Sequence, residues 1–425
     1  MRVALWLMAL FAIAVASALF AGNNPGTVTL YWAPHRVDMS LNLFLLVLAG
    51  GFLTLHLAMQ ALSALMSIPQ QARRWRLLQK ERAIHTALLD SLSHLVSGRF
   101  IRARKTADLV ISLEESVQRS GEQLAYGGRL RTLTHLIAAE SAHALPDRIV
   151  RDAHFGQALE EAAGRDAQEA REGVQLRRAR WALDDRDAPA AMQWLDQLPS
   201  GASRRTVALR MRFRAARQAG EPHLALESLR LLTKHRAFSE VAGKSIARGL
   251  AVELIGTAHD TVQLQRAWDL LERSEQSIPD VACEAAERLL LLGGEASVSR
   301  KWLLPVWDAM VNDTVPLNLA LRIRVARVLE QGFGVAGESP DAVWLSRIES
   351  AQMANPRDGV LQYLAGMVCM RLNLWGKAQQ LLKQSLLTLN HSELTRDTWL
   401  ALAQMAELRQ DEQAAADAYR EAAKR

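Results

Sequence analysis

The residues that could bind a nucleotide are the glycines of a GxGxxG pattern late in the chain. The pattern reads Gly332-Phe-Gly334-Val-Ala-Gly337. Such glycines bind a dinucleotide only where the loop joins a β-strand to a helix, because the helix amino end then faces the pyrophosphate. Here the preceding text, LALRIRVARVLEQ, has helical spacing, and no strand-like runs surround it. We therefore interpret the pattern as a glycine-rich turn between helices.

Side chains that bind metals or act in catalysis are present but scattered. The two cysteines, Cys283 and Cys369, occur without a CxxC or CxxCH motif, which argues against a zinc site, an iron–sulfur cluster or attached haem. The eleven histidines are not grouped, and the chain contains no GxxxxGK[ST], HExxH or GxSxG motif. Neighbouring carboxylates such as Glu114 and Glu115 lie in polar helical text. The sequence thus predicts no catalytic residue, no metal site and no cofactor.

Positive charge is concentrated in one short segment. The 425 residues include 51 Lys and Arg against 45 Asp and Glu, a net charge of +6. Nine of the basic residues and only two acidic residues fall between residues 70 and 105. A nucleic-acid-binding protein would spread its basic residues over a face, so we predict no nucleic-acid partner. The residues that we expect to set membrane topology and contact the membrane surface are Arg73, Arg74, Arg76, Lys80 and Arg82.

The text before this basic segment has the composition of a membrane anchor. Val3–Ala21 and Met39–Met66 carry no charged residue, and each is long enough to cross ~30 Å of hydrocarbon at ~1.5 Å per residue. Asn23-Asn24-Pro25-Gly26 predicts the end of the first helix. Ser40 is a candidate N-cap of the second helix, and Pro69 marks its predicted end. We therefore expect two transmembrane helices.

The first apolar stretch has an alternative interpretation as a cleaved signal peptide. Arg2 would supply the short basic region, and Ala16-Ser17-Ala18 resembles a cleavage site. We favour a retained membrane helix because the apolar run is long for a signal peptide and continues past that site. Both interpretations leave the second helix in place.

The distribution of positive residues predicts the orientation in the membrane. The loop at residues 22–40 carries one Arg, whereas the flank at 70–85 carries five Lys and Arg, and such flanks stay in the cytoplasm. We expect a bacterial inner-membrane protein with its amino end and its carboxyl-terminal part in the cytoplasm. Within the outside loop, Thr27–Trp32 resembles a strand, but one such run cannot make a sheet, and Tyr31 and Trp32 suit the membrane interface. The basic flank would also attract anionic membrane lipid.

His56 and Gln60 are the polar residues of interest within the second apolar stretch. They lie four residues apart and therefore on one helix face. They could form a ligand contact inside the membrane. We favour the alternative, a polar contact with the first helix or a position near the interface.

The remaining text has the spacing of a tetratricopeptide repeat. Its last segment reads TWLALAQMAELRQDEQAAADAYREAAKR, and a second unit precedes it by 37 residues. Small residues let two antiparallel helices approach closely, and large ones fill the space between successive pairs. The residues predicted to pack the repeats are Gly98, Ala103, Gly366, Ala378, Trp399, Ala403, Ala415 and Tyr419.

Weaker copies of the repeat occur nearer the amino end. They include Trp181…Trp194 and Phe213…Leu229, whereas Val262–Val335 is helical text without a clear register. At ~34–40 residues per unit, about 340 residues predict roughly eight to ten helical hairpins. The predicted fold class is all-α, with two amino-terminal transmembrane helices followed by a tetratricopeptide-like α-solenoid. We divide the chain into an anchor at 1–69, a basic juxtamembrane segment at 70–110 and a repeat domain at 111–425.

This arrangement resembles the bacterial HemY family. The resemblance is carried by Val28–Trp32, Val37–Leu43, Pro69…Arg73-Arg-Trp-Arg76, Gly98-Arg-Phe100 and Ala103, and more loosely by Arg180–Leu183 and Ala267–Pro279. It implies an inner-membrane protein linked to a late step of protohaem (porphyrin) biosynthesis, with repeats that bind partners. It maps no catalytic residue. The activity of the unrelated flavoprotein oxidase that shares the HemY name does not transfer, because its dinucleotide motif belongs where this chain has an apolar stretch.

We therefore expect a membrane-anchored, non-enzymatic scaffold or adaptor whose cytoplasmic repeat groove binds protein partners, with haem-biosynthesis enzymes as the expected partners. An alternative is a porphyrin or haem carrier, or chaperone, that uses the repeat interior or the seam near His56. A third class, an enzyme of porphyrin oxidation, has no motif in its favour.

Overall fold

The structure, a computed structural model, describes residues 2–22, 25–122, 124, 126–164, 167–312, 317–333 and 341–424. It divides into two compact units, Met1–Ala167 and Gln168–Arg425. Helices dominate both, which confirms the expected helical class. The domain boundaries expected from the sequence stay a prediction.

The first unit consists of a β-hairpin and five helices over its described residues. These elements are α1 (Arg2–Gly22), β1 (Thr27–Trp32), β2 (His35–Ser40), α2 (Leu41–Val96), α3 (Phe100–Arg119), α4 (Gly127–Ala144) and α5 (Arg148–Glu161). Helix α2 alone is 56 residues long.

The expectation that Thr27–Trp32 forms no sheet was wrong. This run is β1, and it pairs antiparallel with His35–Ser40. The second strand was missed because Arg36 and Asp38 interrupt its apolar pattern. A two-stranded hairpin can carry charges on one face, since only alternate residues share a face.

Helix α2 begins as expected but does not end as expected. The Ser40 hydroxyl accepts a hydrogen bond from the Leu43 N–H at 3.3 Å, which confirms the N-cap. The predicted end at Pro69 was wrong, because the helix continues to Val96. An internal proline removes one backbone hydrogen bond, but the sequences on both sides of Pro69 form helix readily, so the helix continues through it. Over the described residues, one segment, Leu41–Ser63, is long and apolar enough to cross a membrane, where the sequence predicted two.

The carboxyl half of α2 packs against α3 and α4. The shared core consists of Ile84, Ala87, Val110, Val117 and Leu130. The basic juxtamembrane segment therefore belongs to the first unit, where the carboxyl half of α2 forms a helical hairpin with α3.

Gly98 and Ala103 play different roles in that hairpin. Gly98 has a φ of +71° in the turn after α2, and a side chain there would meet no neighbour within 4 Å. Its role is therefore conformational, since glycine adopts positive φ without strain. Ala103 is fully buried, and its carbonyl accepts a hydrogen bond from the Ser91 hydroxyl at 3.0 Å. The two helices thus approach closely at Ala103.

The second unit is built entirely of helices over its described residues. They are α6 (Gln168–Asp184), α7 (Ala188–Asp196), α8 (Ser200–Ser203), α9 (Thr206–Ala219), α10 (Pro222–Lys234), α11 (Glu240–Gly256), α12 (Thr261–Asp269), α13 (Arg273–Gln276), α14 (Pro279–Leu291), α15 (Ala296–Val311), α16 (Leu319–Gln331), α17 (Ala342–Ala354), α18 (Gly359–Arg371), α19 (Trp375–Thr388), α20 (Ser392–Leu408) and α21 (Glu412–Ala423).

Consecutive helices of this unit pack as hairpins. The pairs α6 with α7, α9 with α10, α14 with α15, α18 with α19 and α20 with α21 are in direct contact. One apolar core runs from Ala216 in α9 to Met405 in α20. A core that continues from hairpin to hairpin is what a helical repeat array requires, because no single pair buries its apolar face alone.

The predicted packing residues of the last two hairpins lie at the helix contacts, with one exception. A Cβ atom on Gly366 would come within 2.7 Å of Leu382 Cγ, so α18 and α19 meet at a position where only glycine fits. Ala378 and Ala403 are fully buried, and Ala415 is nearly so. Trp399 is partly buried against the core.

Tyr419 is the exception. It lies on α21, the last helix described, and is 38% exposed. Its side chain forms a hydrogen bond with Glu407 on α20, and the packing role that its spacing suggested stays a prediction.

Candidate functional site

Helices that are not consecutive in the chain form a continuous row in the second unit. Helices α11, α14, α16 and α18 contact one another in turn, and α18 contacts α20. Helices α16, α18 and α20 enclose a groove of about 500 Å³. We define the groove by the polar side chains that line it, which are Arg327, Glu330, Gln331, Tyr363, Arg371, Glu393, Arg396, Asp397 and Gln404.

Arg327 spans the width of the groove. Its Nη2 atom lies 3.0 Å from Glu393 Oε2 and 3.2 Å from Asp397 Oδ2. Arg327 belongs to α16 and both carboxylates belong to α20, so one guanidinium joins helices that are not neighbours in the row. The three side chains are 29–59% exposed, so solvent weakens their attraction. The contact therefore fixes the position of α16 relative to α20 more than it adds to stability.

Glu330 and Tyr363 form the buried part of the groove. The Tyr363 hydroxyl donates a hydrogen bond to Glu330 Oε2 at 2.8 Å, and Arg371 lies 3.8 Å from the other carboxylate oxygen. Burial raises the pKa of Glu330, while the Tyr363 hydrogen bond and Arg371 act in the opposite direction. Burial also raises the pKa of Tyr363, so its hydroxyl remains a donor.

Arginine–carboxylate pairs also connect the rest of the row. Three of these contacts join α11 to α14, α14 to α16, and α16 to the N-cap of α18, and a fourth joins α9 to α11, so charge as well as the core holds the row together. The pairs are Arg217 with Glu253 at 3.1 Å, Arg248 with Asp280 at 3.2 Å, Arg324 with Glu284 and Glu287, and Arg322 with Asp358.

Arg324 makes the most extensive of these contacts. Its Nε atom donates to Glu287 Oε1 at 2.7 Å, and its Nη2 atom donates to both Glu284 and Glu287. A planar guanidinium bound to two carboxylates fixes the register of α16 against α14. The adjacent Cys283 is fully buried, and burial raises the pKa of its thiol to about 12.

The groove is lined by charged side chains of both signs. Its lining carries three arginines and three carboxylates, so the charges balance. All of them but Glu330 reach solvent, which makes the surface polar and able to exchange internal ion pairs for contacts with a protein segment of mixed charge. The chemistry that the groove offers is hydrogen bonding and ion pairing over three helices.

The five predicted membrane-surface residues lie on α2, beyond the candidate span. Arg73, Arg74, Arg76 and Arg82 are exposed. Lys80 is half-buried, and its Nζ atom donates to the Ser116 carbonyl at 3.4 Å. Four of the five are therefore exposed and Lys80 ties α2 to α3, while their contact with a membrane surface stays a prediction.

The other polar features singled out from the sequence do not converge on a site. His56 and Gln60 are exposed on α2 within Leu41–Ser63. Within the part of the chain that the structure describes, no three His, Cys, Asp or Glu side chains could hold a metal ion. Gly332 caps the carboxyl end of α16, a helix, as expected for a turn. Gly334 and Gly337 lie outside the described residues.

Sequence reasoning missed every groove residue. Arg327 and Glu330 are three residues apart on α16, and Tyr363 and Arg371 both lie on α18. Each looks like an ordinary residue of a polar helix face. The one sequence feature that could have revealed the groove is Tyr363, a tyrosine among aliphatic residues. A phenol buried in such a helix needs a hydrogen-bond partner on a neighbouring helix.

Comparison with known families gives one match. Residues 26–145 match the family model described as HemY protein N-terminus. The match covers β1, β2, α2, α3 and α4, and it agrees with the resemblance drawn from the sequence. No curated protein matches the chain.

Several solved structures are similar to parts of the chain. The APC/C hetero-tetramer Cut9-Hcn1 is 12% identical over 80% of this chain and 66% of that one, with a TM-score of 0.28. Naa15/Naa10 bound to HypK-THB is 11% identical over 77% and 57%, with a TM-score of 0.24. The P58(IPK) TPR domain is 14% identical over 78% and 99%, with a TM-score of 0.22. The chain thus spans less than two thirds of the length of the first two of these structures. The assignment of helical repeats rests on the helical hairpins observed in this chain itself.

Proposed function

We propose that this chain, a member of the HemY family by its residues 26–145, is a membrane-anchored scaffold that binds protein partners in its repeat groove. The observation that carries the proposal is the groove itself: α16, α18 and α20 present three arginines and three carboxylates on one surface, and all of these side chains but Glu330 are accessible to solvent. Helical repeat arrays use such surfaces for protein segments. The proposed role is non-enzymatic: the charged side chains that line the groove are engaged with one another in ion pairs and a hydrogen bond, an arrangement suited to recognition.

The proposed anchor is the amino-terminal helical pair. Leu41–Ser63 has 23 residues, about 34 Å as a helix, which matches ~30 Å of hydrocarbon with some tilt. Helix α1 has 21 residues and is proposed as the second crossing. The exposed arginines at 73, 74 and 76 favour a cytoplasmic carboxyl-terminal side by the positive-inside rule. The protein is thus proposed to cross the inner membrane twice, with its repeats in the cytoplasm.

The proposed partners are enzymes of late protohaem biosynthesis, a link that comes from the family. Anchoring a groove beside the membrane raises the effective concentration of a bound enzyme where its hydrophobic substrate is found. The balanced charges of the groove favour a segment with residues of both signs. Such an interface would give specificity through charge complementarity more than through buried apolar area.

A matched pair of charge reversals tests this proposal. Arg396 lines the groove and is 56% exposed, whereas Arg420 lies on α21 away from it and is 75% exposed. After crosslinking and mild detergent extraction, Arg396→Glu should reduce recovery of a haem-biosynthesis enzyme about tenfold, the effect of ~1.4 kcal/mol. Arg420→Glu should leave recovery unchanged. Capture of no such enzyme by the parent chain, or equal loss in both variants, would contradict the proposal.

A haem or porphyrin carrier is the second candidate. The observation in its favour is His56, which is exposed on the candidate span, where an apolar ligand would reach it. Spectral titration of the purified chain with haem tests it. Binding that is lost in His56→Ala would support this function, and equal spectra of parent and variant would remove His56 from it.

A further inference from the structure

The β1–β2 hairpin separates its side chains by polarity. Residues directly opposite each other in an antiparallel pair share a face, and neighbours along a strand alternate. One face, here called the apolar face, carries the opposed pairs Val28 with Met39, Leu30 with Val37 and Trp32 with His35. The other, the polar face, carries Thr27 with Ser40, Thr29 with Asp38 and Tyr31 with Arg36.

The polar face satisfies its own charges. Arg36 Nε lies 3.1 Å from Asp38 Oδ1, and the same guanidinium lies over the Tyr31 ring at 5.9 Å from its centroid. Both charged side chains are more than half exposed. This face is therefore complete as a water-facing surface.

Over the described residues, the part of the apolar face near the turn is not covered, whereas Val28 and Met39 at its base are partly buried. Trp32 is 82% exposed, and Leu30 and Val37 are each about half exposed. A two-stranded hairpin is at best marginally stable in water without a surface to pack on. Something outside the chain must therefore cover these side chains.

The position of the hairpin identifies what covers it. The Leu41 N–H donates to the Gly26 carbonyl at 2.9 Å, which closes the base of the hairpin onto the first residue of the candidate span. Strand β2 runs directly into α2 through the Ser40 cap. The hairpin therefore begins at the depth where α2 enters the hydrocarbon, and its one Arg and one Asp give it no net charge toward a headgroup layer.

We propose that the apolar face lies on the membrane interface, with Trp32 among the lipid headgroups and Tyr31 on the opposite face in water. This inference rests on the proposed membrane anchor. A strand of six residues is about 20 Å long, more than the thickness of the headgroup layer, so the hairpin lies along the surface and does not stand upright. The inference corrects the expectation that both aromatic residues occupy the interface, because the strand pairing places them on opposite faces.

Site-specific fluorophores on the full chain test this arrangement. Trp32→Cys and Tyr31→Cys would each be labelled with an environment-sensitive probe and reconstituted in phosphatidylcholine–phosphatidylglycerol vesicles. The natural Cys283 and Cys369 are fully buried, so the introduced thiol takes the label under native conditions. A third variant, Phe52→Cys, places the probe in the candidate span. Lipids with a nitroxide near the headgroup and aqueous iodide serve as the two quenchers.

The inference predicts opposite quenching at adjacent residues. The probe at position 32 should be quenched by nitroxide lipid about threefold more than the probe at 31, and iodide should show the reverse order. Equal quenching at the two positions, or a probe at 32 shielded from both quenchers by protein, would overturn it. For the probe at position 52, which lies at the middle of the candidate span, lipids with a nitroxide near the end of the acyl chain replace the headgroup-labelled lipids. This probe separates two failures: if the deep nitroxide quenches it, only the hairpin placement fails; if not, the membrane anchor fails too.

Discussion

The Tyr363 hydroxyl donates a hydrogen bond to Glu330 across 2.8 Å, and both side chains are buried where α16 meets α18. Burial raises the pKa of this carboxyl in the folded protein. The folded state therefore binds more protons than the unfolded state at a pH between the ordinary glutamate value of about 4.3 and the raised value. Over that interval the free energy of unfolding falls as the pH rises. Above the raised pKa, the free energy of unfolding stays at this lower level.

Glu330→Gln should remove this pH dependence. The amide still accepts the Tyr363 hydrogen bond but is never charged, so the variant should gain stability over the parent at pH 8 and lose that advantage at pH 5. The measurement is the urea unfolding midpoint of both proteins in detergent at the two pH values. A difference between variant and parent that is the same at both values would contradict the buried-charge account.

Tyr363→Phe is the matched control. It deletes the hydroxyl that stabilises ionised Glu330, so its penalty should be larger at pH 8 than at pH 5. We expect about 1–3 kcal/mol at the higher pH, the usual cost of leaving a buried acceptor without its donor.

Gly366 should tolerate no side chain. In Gly366→Ala the new Cβ would lie 2.7 Å from Leu382 Cγ in a fully buried contact, so we expect a loss of about 1–3 kcal/mol from overpacking. Gly249 is also in a helix, but its Cβ would meet open space. Gly249→Ala should therefore stabilise the fold by up to about 1 kcal/mol. Thermal unfolding followed by circular dichroism checks both, and equal shifts would mean that α18 and α19 do not meet at Gly366.

Arg324 should matter more than an ordinary surface charge. Arg324→Ala removes the donors that join α16 to Glu284 and Glu287 on α14, and we expect a loss of about 1–2 kcal/mol, reduced by partial solvent exposure. Arg324→Lys should restore only part of it, because lysine cannot form the two-pronged contact. Lys244→Ala, in an exposed pair with Glu240, should leave the unfolding midpoint unchanged. Full rescue by lysine would show that charge alone is enough.

The two cysteines should be inert in the folded protein. Both side chains are fully buried, and burial raises the pKa of each thiol. Because the thiolate is the reactive form, iodoacetamide should label neither residue at pH 7.5 until denaturant is added. Mass spectrometry of labelled peptides from native and denatured samples measures this difference. Rapid labelling of either thiol without denaturant would place it outside the core.

The repeat architecture was predictable because small residues at this fixed spacing are typical of closely packed helical hairpins. Gly366, Ala378 and Ala403 all lie at helix contacts, as the spacing of the last two units required. The register between residues 262 and 335 was not predictable for a physical reason. There the helix after α11 is broken into the short α12 and α13, and α15 contains Pro305, so the local spacing departs from the repeat.

The groove and the hairpin could not be predicted because both depend on partners distant in sequence. Arg327 meets Glu393 across 66 residues, and no local pattern marks either residue. The strand β2 carries two charges and resembles a loop until its pairing with β1 is known. Helix α2 continues through Pro69 because the sequences on both sides of it form helix, whereas a proline considered alone predicts the end of a helix.

Photocrosslinking inside the cell tests the central claim, that the groove holds a protein partner at the membrane. A photoreactive amino acid would replace Gln404, which is exposed and lines the groove, or Leu387, which is 85% exposed on α19 outside it. We predict that irradiation of the membrane fraction yields a discrete adduct with a haem-biosynthesis enzyme from position 404 and none from 387. No adduct from 404, or the same adduct from both positions, would contradict the account.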